Sequence, residues 1–201
     1  MLLRFSVLAL LFISCKEQVI EPVVEETQAQ RVYDIIYDHG YDPDRAFNYE
    51  LPVIAEYDID EFVWPSSVRG IRNNNWGNIE KGADWVGLGD DKDVRFANYE
   101  HPIFGLRALM VITYNYNARH GIKTVDQWAN RWAPPHENRT DKYASYLVGR
   151  TGSNTIDFSD YYYMREFTRA VCEMENGRNR IDEVWDDTFF RVAWIIRERT
   201  K

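Results

Sequence analysis

The chain is poor in cysteine, in histidine and in positive charge, and each shortage excludes a class of function. Its 201 residues include 2 Cys and 4 His, and these residues show no close ligand pairing, so we expect no metal and no cofactor. The net charge of -8 argues against a nucleic acid partner, because binding phosphates requires a basic surface. The sequence also lacks a Gly-rich nucleotide loop and the Gly-x-Ser-x-Gly turn of serine hydrolases.

The first apolar run is too short to span a bilayer, and it has the form of an export signal. Arg4 precedes an apolar run at 5–13, and Ser14 and Cys15 follow it. A Cys that directly follows a small residue at this point resembles a bacterial lipoprotein signal, in which that Cys becomes lipidated. We therefore predict a signal over residues 1–15 and a lipid anchor at Cys15. The alternative is an ordinary signal peptide with a chance cysteine.

Composition divides the remainder into a tether, an extension and one helical domain. Residues 16–30 are acidic and rich in Val, Glu and Gln, which predicts a flexible tether, while the role of residues 31–67 stays open. From 68 to 201 we predict a mainly α domain, with a small irregular or β part near its start. The predicted helices begin at Pro102, Val125, Thr140, Ser159 and Ile181 and end near Gly121, before Pro134, near Gly149, at Glu175 and at Arg199.

Asparagine is concentrated in residues 69–79, the most informative stretch of the chain. Asn73, Asn74, Asn75 and Asn78 share this segment with two glycines. Asparagine carries donors and acceptors and tolerates left-handed backbone angles, so this density predicts a rigid, hydrogen-bonding loop. Such a loop suits ligands covered in hydroxyl and amide groups, which are sugars. The alternative is a structural turn whose side chains bond only their own backbone.

Glu175 is the first candidate for catalysis. It ends an amphipathic helical pattern in which positions 167, 171 and 175 lie on one face. A carboxyl group at the edge of an apolar face is poorly hydrated, which is the state that a proton donor to a glycosidic oxygen needs. The alternative is a solvated carboxylate at the helix end, or the partner of a cap.

Glu137 is the second candidate, in a segment that Pro134 and Pro135 hold stiff. It could serve as a second carboxylate, hydrogen-bond a sugar or pair with Arg131. The simpler interpretation is that its charge stabilises the start of the next helix. If both glutamates face one cleft, the distance between their carboxyl groups would indicate whether the reaction retains or inverts the anomeric configuration. Asn138, beside Glu137, joins the candidate substrate-binding residues.

Several aromatic residues are candidate stacking platforms for sugar rings. Trp85, Tyr99 and Trp132 are named as substrate-binding candidates. The helical spacing of Trp128 and Trp132 also fits two core positions, whereas Trp76 and Trp85 lie in loops and are the better candidates for exposure.

A series of motifs runs in order through the helical domain. It consists of Arg-Gly-Ile-Arg-Asn-Asn-Asn-Trp-Gly-Asn-Ile at 69–79, Trp-Val-Gly at 85–87, Phe-Ala-Asn-Tyr at 96–99, Gly-Leu-Arg-Ala at 105–108, Arg-Trp-Ala-Pro-Pro with Glu-Asn-Arg-Thr across 131–140, and Glu-Asn-Gly at 175–177. Together they resemble a group of phage and prophage proteins described as virion or structural proteins. That group typically shows Arg-Asn-Asn-Asn-Pro-Gly-Asn, Trp-Ala-Pro-Pro-x-Glu-Asn and a closing Glu-Asn-Gly. This chain has Trp76 at the position where the group has proline. The resemblance as a whole implies association with a virion.

A weaker resemblance connects the chain with peptidoglycan hydrolases of the lysozyme superfamily, notably autolysin-type glucosaminidases. Those enzymes combine a helix that ends in a catalytic Glu with an Asn-Asn-x-x-Gly-Ile loop, a Trp and a Phe-x-x-Tyr stretch. Residues 74–79, Trp85 and residues 96–99 are similar to the second part. In the enzymes the Glu helix precedes the loop, whereas Glu175 follows it here. The resemblance thus implies a lysozyme-like fold with a circularly permuted order of elements.

The resulting prediction is a lysozyme-like protein that cleaves glycosidic bonds in peptidoglycan strands, as a muramidase, a glucosaminidase or a lytic transglycosylase. Glu175 would protonate the glycosidic oxygen, residues 73–78 would hold N-acetyl and hydroxyl groups, and Trp85 and Tyr99 would stack on sugars. We expect it on the periplasmic side of the bacterial envelope or in a virion. The alternative is a non-catalytic virion structural protein or wall-binding protein on the same scaffold.

The predicted anchor has a direct test in Cys15→Ser. Because lipidation requires the thiol, this change should move the full-length protein from the membrane fraction to the soluble fraction of expressing cells. Fractionation and immunoblotting measure the distribution, with Cys172→Ser as the matched control. Unchanged partitioning of the Cys15 variant would contradict the lipid anchor.

Overall fold

The chain is mainly helical in the part that the structure, a computed structural model, describes, which is residues 66–136 and 139–197. Its helices are α1 Arg69–Arg72, α2 Pro102–His120, α3 Val125–Trp132, α4 Thr140–Thr151, α5 Tyr161–Asn176, α6 Arg178–Val184 and α7 Asp187–Arg197. In these same residues strand pairing is limited to isolated antiparallel bridges, such as Glu80 with Phe96. The prediction of a mainly α fold is confirmed. The predicted signal, the tether and residues 31–65 fall outside the described residues.

Helix α2 forms where the sequence predicts it, because both of its ends are capped. Pro102 occupies the first turn, and His101 Nδ1 accepts a hydrogen bond from the Ile103 amide at 3.2 Å. Burial lowers the pKa of His101 to about 3, so the ring is neutral and can accept this bond. Gly121 ends the helix in the left-handed conformation, as expected.

The starts of α3 and α5 also follow from side-chain caps. Thr124 and Gln127 form the predicted capping box at the start of α3. Asp160 caps α5 by accepting a hydrogen bond from the Tyr163 amide at 2.7 Å, so the helix begins two residues after the predicted Ser159. Its end at Asn176, followed by Gly177, agrees with the predicted stop.

Three sequence predictions of local structure are wrong. Helix α4 continues past Gly149 to Thr151 and is capped by Gly152. The single helix predicted over 181–199 is two helices, because Asp186 Oδ1 accepts from the Thr188 amide at 2.6 Å and starts α7 anew. One helical turn, α1, opens the asparagine-rich segment that we predicted as a loop throughout.

The helices pack around one aromatic core. Helix α2 lies mainly along α7, while α4 lies against both α3 and α5, and α5 also contacts α1, α2 and α6. The largest fully buried side chains include Trp76, Tyr99, Trp128, Phe167 and Phe190. Within the described ranges, the helices fall short of the length and apolar character that crossing a membrane requires.

Gly105 is the tightest point between α2 and the asparagine-rich loop. A Cβ atom at this position would lie 2.1 Å from the Asn74 carbonyl oxygen, which belongs to the backbone and cannot rotate away. Only glycine allows the helix and the loop to approach this closely.

We therefore predict that Gly105→Ala lowers the free energy of unfolding by about 1–3 kcal/mol, because the added methyl group forces the loop away from the helix. The matched control is Gly149→Ala in α4, where nothing lies within 4 Å of the added Cβ. In the control, alanine should stabilise the protein by about 0.5–1 kcal/mol through helix propensity. Urea denaturation of both variants measures the difference, and equal effects would contradict the close approach.

Candidate active site at Glu175

Three of the four loop asparagines hold the loop itself together. The Asn75 side chain is fully buried, and its amide group donates to the carbonyls of Ile79 at 2.9 Å and Ala97 at 2.8 Å. Asn74, with a left-handed φ of 51°, donates to the Tyr99 carbonyl at 3.1 Å. Asn73 donates to Asp93 Oδ2 at 3.0 Å. In this conformation these amides support the loop, and they do so through partners beyond the loop's own backbone, in residues 93–99.

Asn78 differs from the other three because its side chain faces another part of the chain. It also has a left-handed φ, of 48°, and its Nδ2 donates to Glu175 Oε2 and to the Glu175 carbonyl, both at 3.2 Å. The rigid loop therefore presents one amide to the end of α5, which lies 97 residues further along the chain.

The Glu175 carboxylate is half-buried and is held from three directions. In addition to Asn78, the Trp132 indole Nε1 donates to Oε1 at 3.0 Å and the Tyr143 hydroxyl donates to Oε1 at 3.0 Å. Four segments thus meet at one carboxyl group: the asparagine-rich loop, the end of α3, the first turn of α4 and the end of α5. This is the convergence that the sequence hypothesis required of Glu175 and Asn78.

Asn176 anchors the end of α5 on the same loop. Its Nδ2 donates to the Trp76 carbonyl at 2.6 Å and to the Cys172 carbonyl at 3.0 Å. The amide oxygens of Asn176 and Asn78 both point at Gly70, where an added Cβ would lie 2.1 and 2.8 Å from them. The glycine of α1 is therefore what lets both amides enter, and it connects the first and last motifs of the sequence.

Tyr143 and Trp132 are themselves fixed by burial and stacking. Burial, and then the neighbouring charge of Glu175, raise the pKa of Tyr143 well above its ordinary value. The hydroxyl therefore stays protonated and donates a hydrogen bond. Trp132 stacks on the fully buried Trp128, with ring centroids 5.1 Å apart and planes at 18°. Both donors thus approach Oε1 from restrained positions.

One comparison with known proteins relates the chain to a phage. It is 34% identical over 119 residues to Protein P5 of Pseudoalteromonas phage PM2, a match that covers 56% of this chain and 74% of that protein. The chain belongs to the same family as this phage protein. No protein family model matches the chain. The predicted likeness to phage proteins is thereby confirmed at this coarse level, whereas the likeness to lysozyme-type hydrolases stays a prediction.

The other residues that we predicted to bind sugars or to be exposed differ widely in how much of each side chain solvent can reach. Tyr99 and Trp76 are each 1% exposed, so neither ring has a face for a sugar in this structure, and the expected exposure of Trp76 is wrong. Trp85 is half-buried and keeps an accessible part. Trp128 is core, as expected, whereas Trp132 combines a core contact with its hydrogen bond to Glu175. The candidates Glu137, Asn138 and Cys15 lie outside the described residues.

Sequence reasoning missed Tyr143 and the buried Glu173, because no motif or spacing pattern singles them out. The Cys172 thiol is buried, and burial raises its pKa well above the ordinary value. In the described ranges, no group of three or more His, Cys, Asp or Glu side chains is arranged to hold a metal ion.

Glu173, two residues before the candidate acid, ties α5 to α4 through charge. Its fully buried carboxylate accepts from the Tyr146 hydroxyl at 2.6 Å and from Arg169 Nε at 3.1 Å, and it pairs with Arg150. Burial alone would raise the pKa of Glu173, but the bonds from Tyr146, Arg150 and Arg169 together outweigh it and lower the pKa below its usual value. This network restrains the helix end that carries Glu175.

We predict that Glu173→Gln lowers the free energy of unfolding by about 3 kcal/mol at neutral pH, because two arginines lose a buried charge partner. The native pKa of Glu173 is lowered, so its stabilising effect is present above the unfolded-state value and is lost as pH falls through the native value. The gap between wild type and variant should therefore close in acid.

Chemical denaturation over a pH series measures this gap. Glu183→Gln is the control. In the described residues the exposed Glu183 forms a surface ion pair with Arg180, which should contribute about 0–1 kcal/mol to the free energy of unfolding. A gap for Glu173→Gln that is small at neutral pH, or that grows in acid, would rule out the charged network.

Proposed function

We propose that the protein cleaves glycosidic bonds in peptidoglycan, with Glu175 as the proton donor. The observation that carries the proposal is the half-buried Glu175 carboxyl group, which ends α5 and contacts Asn78 of the rigid loop at 3.2 Å. Enzymes that break glycosidic bonds place a restrained carboxyl group beside hydrogen-bonding groups that orient the sugar.

The proposed reaction needs one proton transfer at each of two stages. Glu175 donates its proton to the bridging oxygen as the bond between that oxygen and the anomeric carbon breaks, and the released sugar keeps this proton. The N-acetyl oxygen of the remaining sugar can form the new bond to the anomeric carbon, so a second carboxylate is not obligatory. Water, or an internal hydroxyl of the sugar in a transglycosylase, then bonds to the anomeric carbon as the bond from that carbon to the N-acetyl oxygen breaks, and it gives a proton to Glu175.

The polar groups near Glu175 suit an N-acetylated sugar. Asn78 offers an amide on one side of the carboxyl group, and Trp85 is the remaining accessible aromatic among the named loop candidates. The proposal also keeps the periplasmic side of the bacterial envelope or a virion as the location, with an anchor at Cys15. Glu137 and Asn138, which follow α3 in sequence, remain candidates for further contacts.

A second function fits other observations. Three hydrogen-bond donors to one carboxylate also make a strong structural junction. The amides of Asn73, Asn74 and Asn75 already bond other residues of the protein. Together with the relationship to a phage protein, these contacts favour a virion structural protein or a wall-binding protein that uses the same scaffold without catalysis.

Glu175→Gln separates the two functions. Glutamine keeps the shape of the side chain, but its amide is not acidic enough to transfer a proton, so clearing of peptidoglycan in a zymogram should fall by about 10²–10⁴-fold. The matched control is Glu183→Gln, an exposed glutamate of α6, which should clear as wild type does. Equal clearing by wild type and Glu175→Gln would exclude Glu175 as the acid. Binding to peptidoglycan without clearing by wild type would favour the non-catalytic function.

A further inference from the structure

We propose that Tyr143 and Trp132 are positioning residues for Glu175, which hold Oε1 and leave Oε2 as the oxygen that carries the transferable proton. The inference rests on the proposed function, because it assigns roles within the same site. It adds two residues on two other helices to that site and specifies which oxygen faces the substrate.

The two carboxylate oxygens of Glu175 have different surroundings. Oε1 accepts two hydrogen bonds of 3.0 Å, one from the Trp132 indole and one from the Tyr143 hydroxyl. Oε2 accepts one bond, from Asn78, at the longer distance of 3.2 Å. Oε1 is therefore the better satisfied oxygen, and Oε2 is the one with free capacity.

The chemistry of the indole group decides where a proton can sit. An indole N–H donates and cannot accept, whereas a tyrosine hydroxyl can do either. A proton on Oε1 therefore requires the Tyr143 hydroxyl to reverse its hydrogen bond and accept, so that Oε1 loses one of its two donors. A proton on Oε2 leaves both bonds to Oε1 intact, and a protonated Oε2 still has a lone pair for the Asn78 amide. The protonated acid therefore carries its hydrogen on the side of the asparagine-rich loop.

The two donors are held too firmly to exchange roles. Trp132 is stacked on Trp128, and Trp128 in turn packs edge-on against Phe167 of α5, with ring centroids 4.8 Å apart. Tyr143 is 6% exposed and lies in the first turn of α4. The core thus fixes both donors relative to the helix that carries Glu175, which favours preorganisation over an adaptable contact.

The chain supplies a matched control one turn further along α4. Tyr146 makes the same kind of bond, from its hydroxyl to a glutamate of α5, but its partner is Glu173 at 2.6 Å. The substitutions Tyr143→Phe and Tyr146→Phe each remove one hydroxyl from one helix. They differ in which glutamate loses a donor.

The test follows the titration of Glu175 itself. Carboxyl carbon resonances of isotope-labelled glutamates are recorded over a pH series, and the signal lost in Glu175→Gln assigns Glu175. Removing a donor disfavours the ionised carboxylate, so Tyr143→Phe should move the midpoint of that signal upward by about 1 pH unit. Tyr146→Phe should leave it in place. Trp132→Phe removes the other donor and should also move it upward, so this variant decides the matter if Tyr143→Phe does not fold.

The alkaline limb of the peptidoglycan-clearing profile should shift with the same midpoint, because a general acid must be protonated to act. A midpoint for Glu175 that neither Tyr143→Phe nor Trp132→Phe moves would overturn the positioning role. Absence of clearing by the wild type would instead reject the proposed function, while the resonance titration would still report on the two donors.

Discussion

The described part of the protein depends on one junction, in which the end of α5 docks on the asparagine-rich loop. Asn176 donates to the Trp76 carbonyl, Asn78 donates to Glu175, and the oxygens of both amides lie against Gly70. The contacts join distant parts of the chain, since Asn176 and Trp76 are 100 residues apart in the sequence. They form because Gly70 of α1, which has no side chain, leaves room for the amide of Asn176 at the end of α5 and for the amide of Asn78 in the loop.

The same junction explains why structural and chemical roles are difficult to separate here. The loop takes its shape from Asn73, which donates to the Asp93 side chain, and from Asn74 and Asn75, which donate to backbone carbonyls. That shape presents Asn78 to Glu175. The buried Glu173 network restrains α5 from the other side. A preorganised carboxyl group needs this kind of support, but a purely structural protein would use it too.

Local signals in the sequence were enough to predict most helices. The arrangement around Glu175 depends on contacts between segments that lie far apart in the sequence. Pro102, the Thr124 capping box and Gly177 act within a few residues, so the helices that they bound were predicted correctly. The cap at Asp186, which divides the last helix, was missed because the apolar spacing continues through it. Glu175 was named as a candidate from its place on a helix face. Tyr143 and the orientation of Trp132 were not, since no spacing rule connects α3 and α4 to the end of α5.

The central claim is that the carboxyl group at this junction acts on the glycan chain of peptidoglycan. The most direct measurement is mass spectrometry of the soluble products after purified peptidoglycan is incubated with the full-length protein. The account predicts fragments with newly formed sugar ends and with their peptide stems intact, and it predicts that Glu175→Gln abolishes them. Products cut only in the peptide stems, or no products beyond those of a no-protein control, would contradict it.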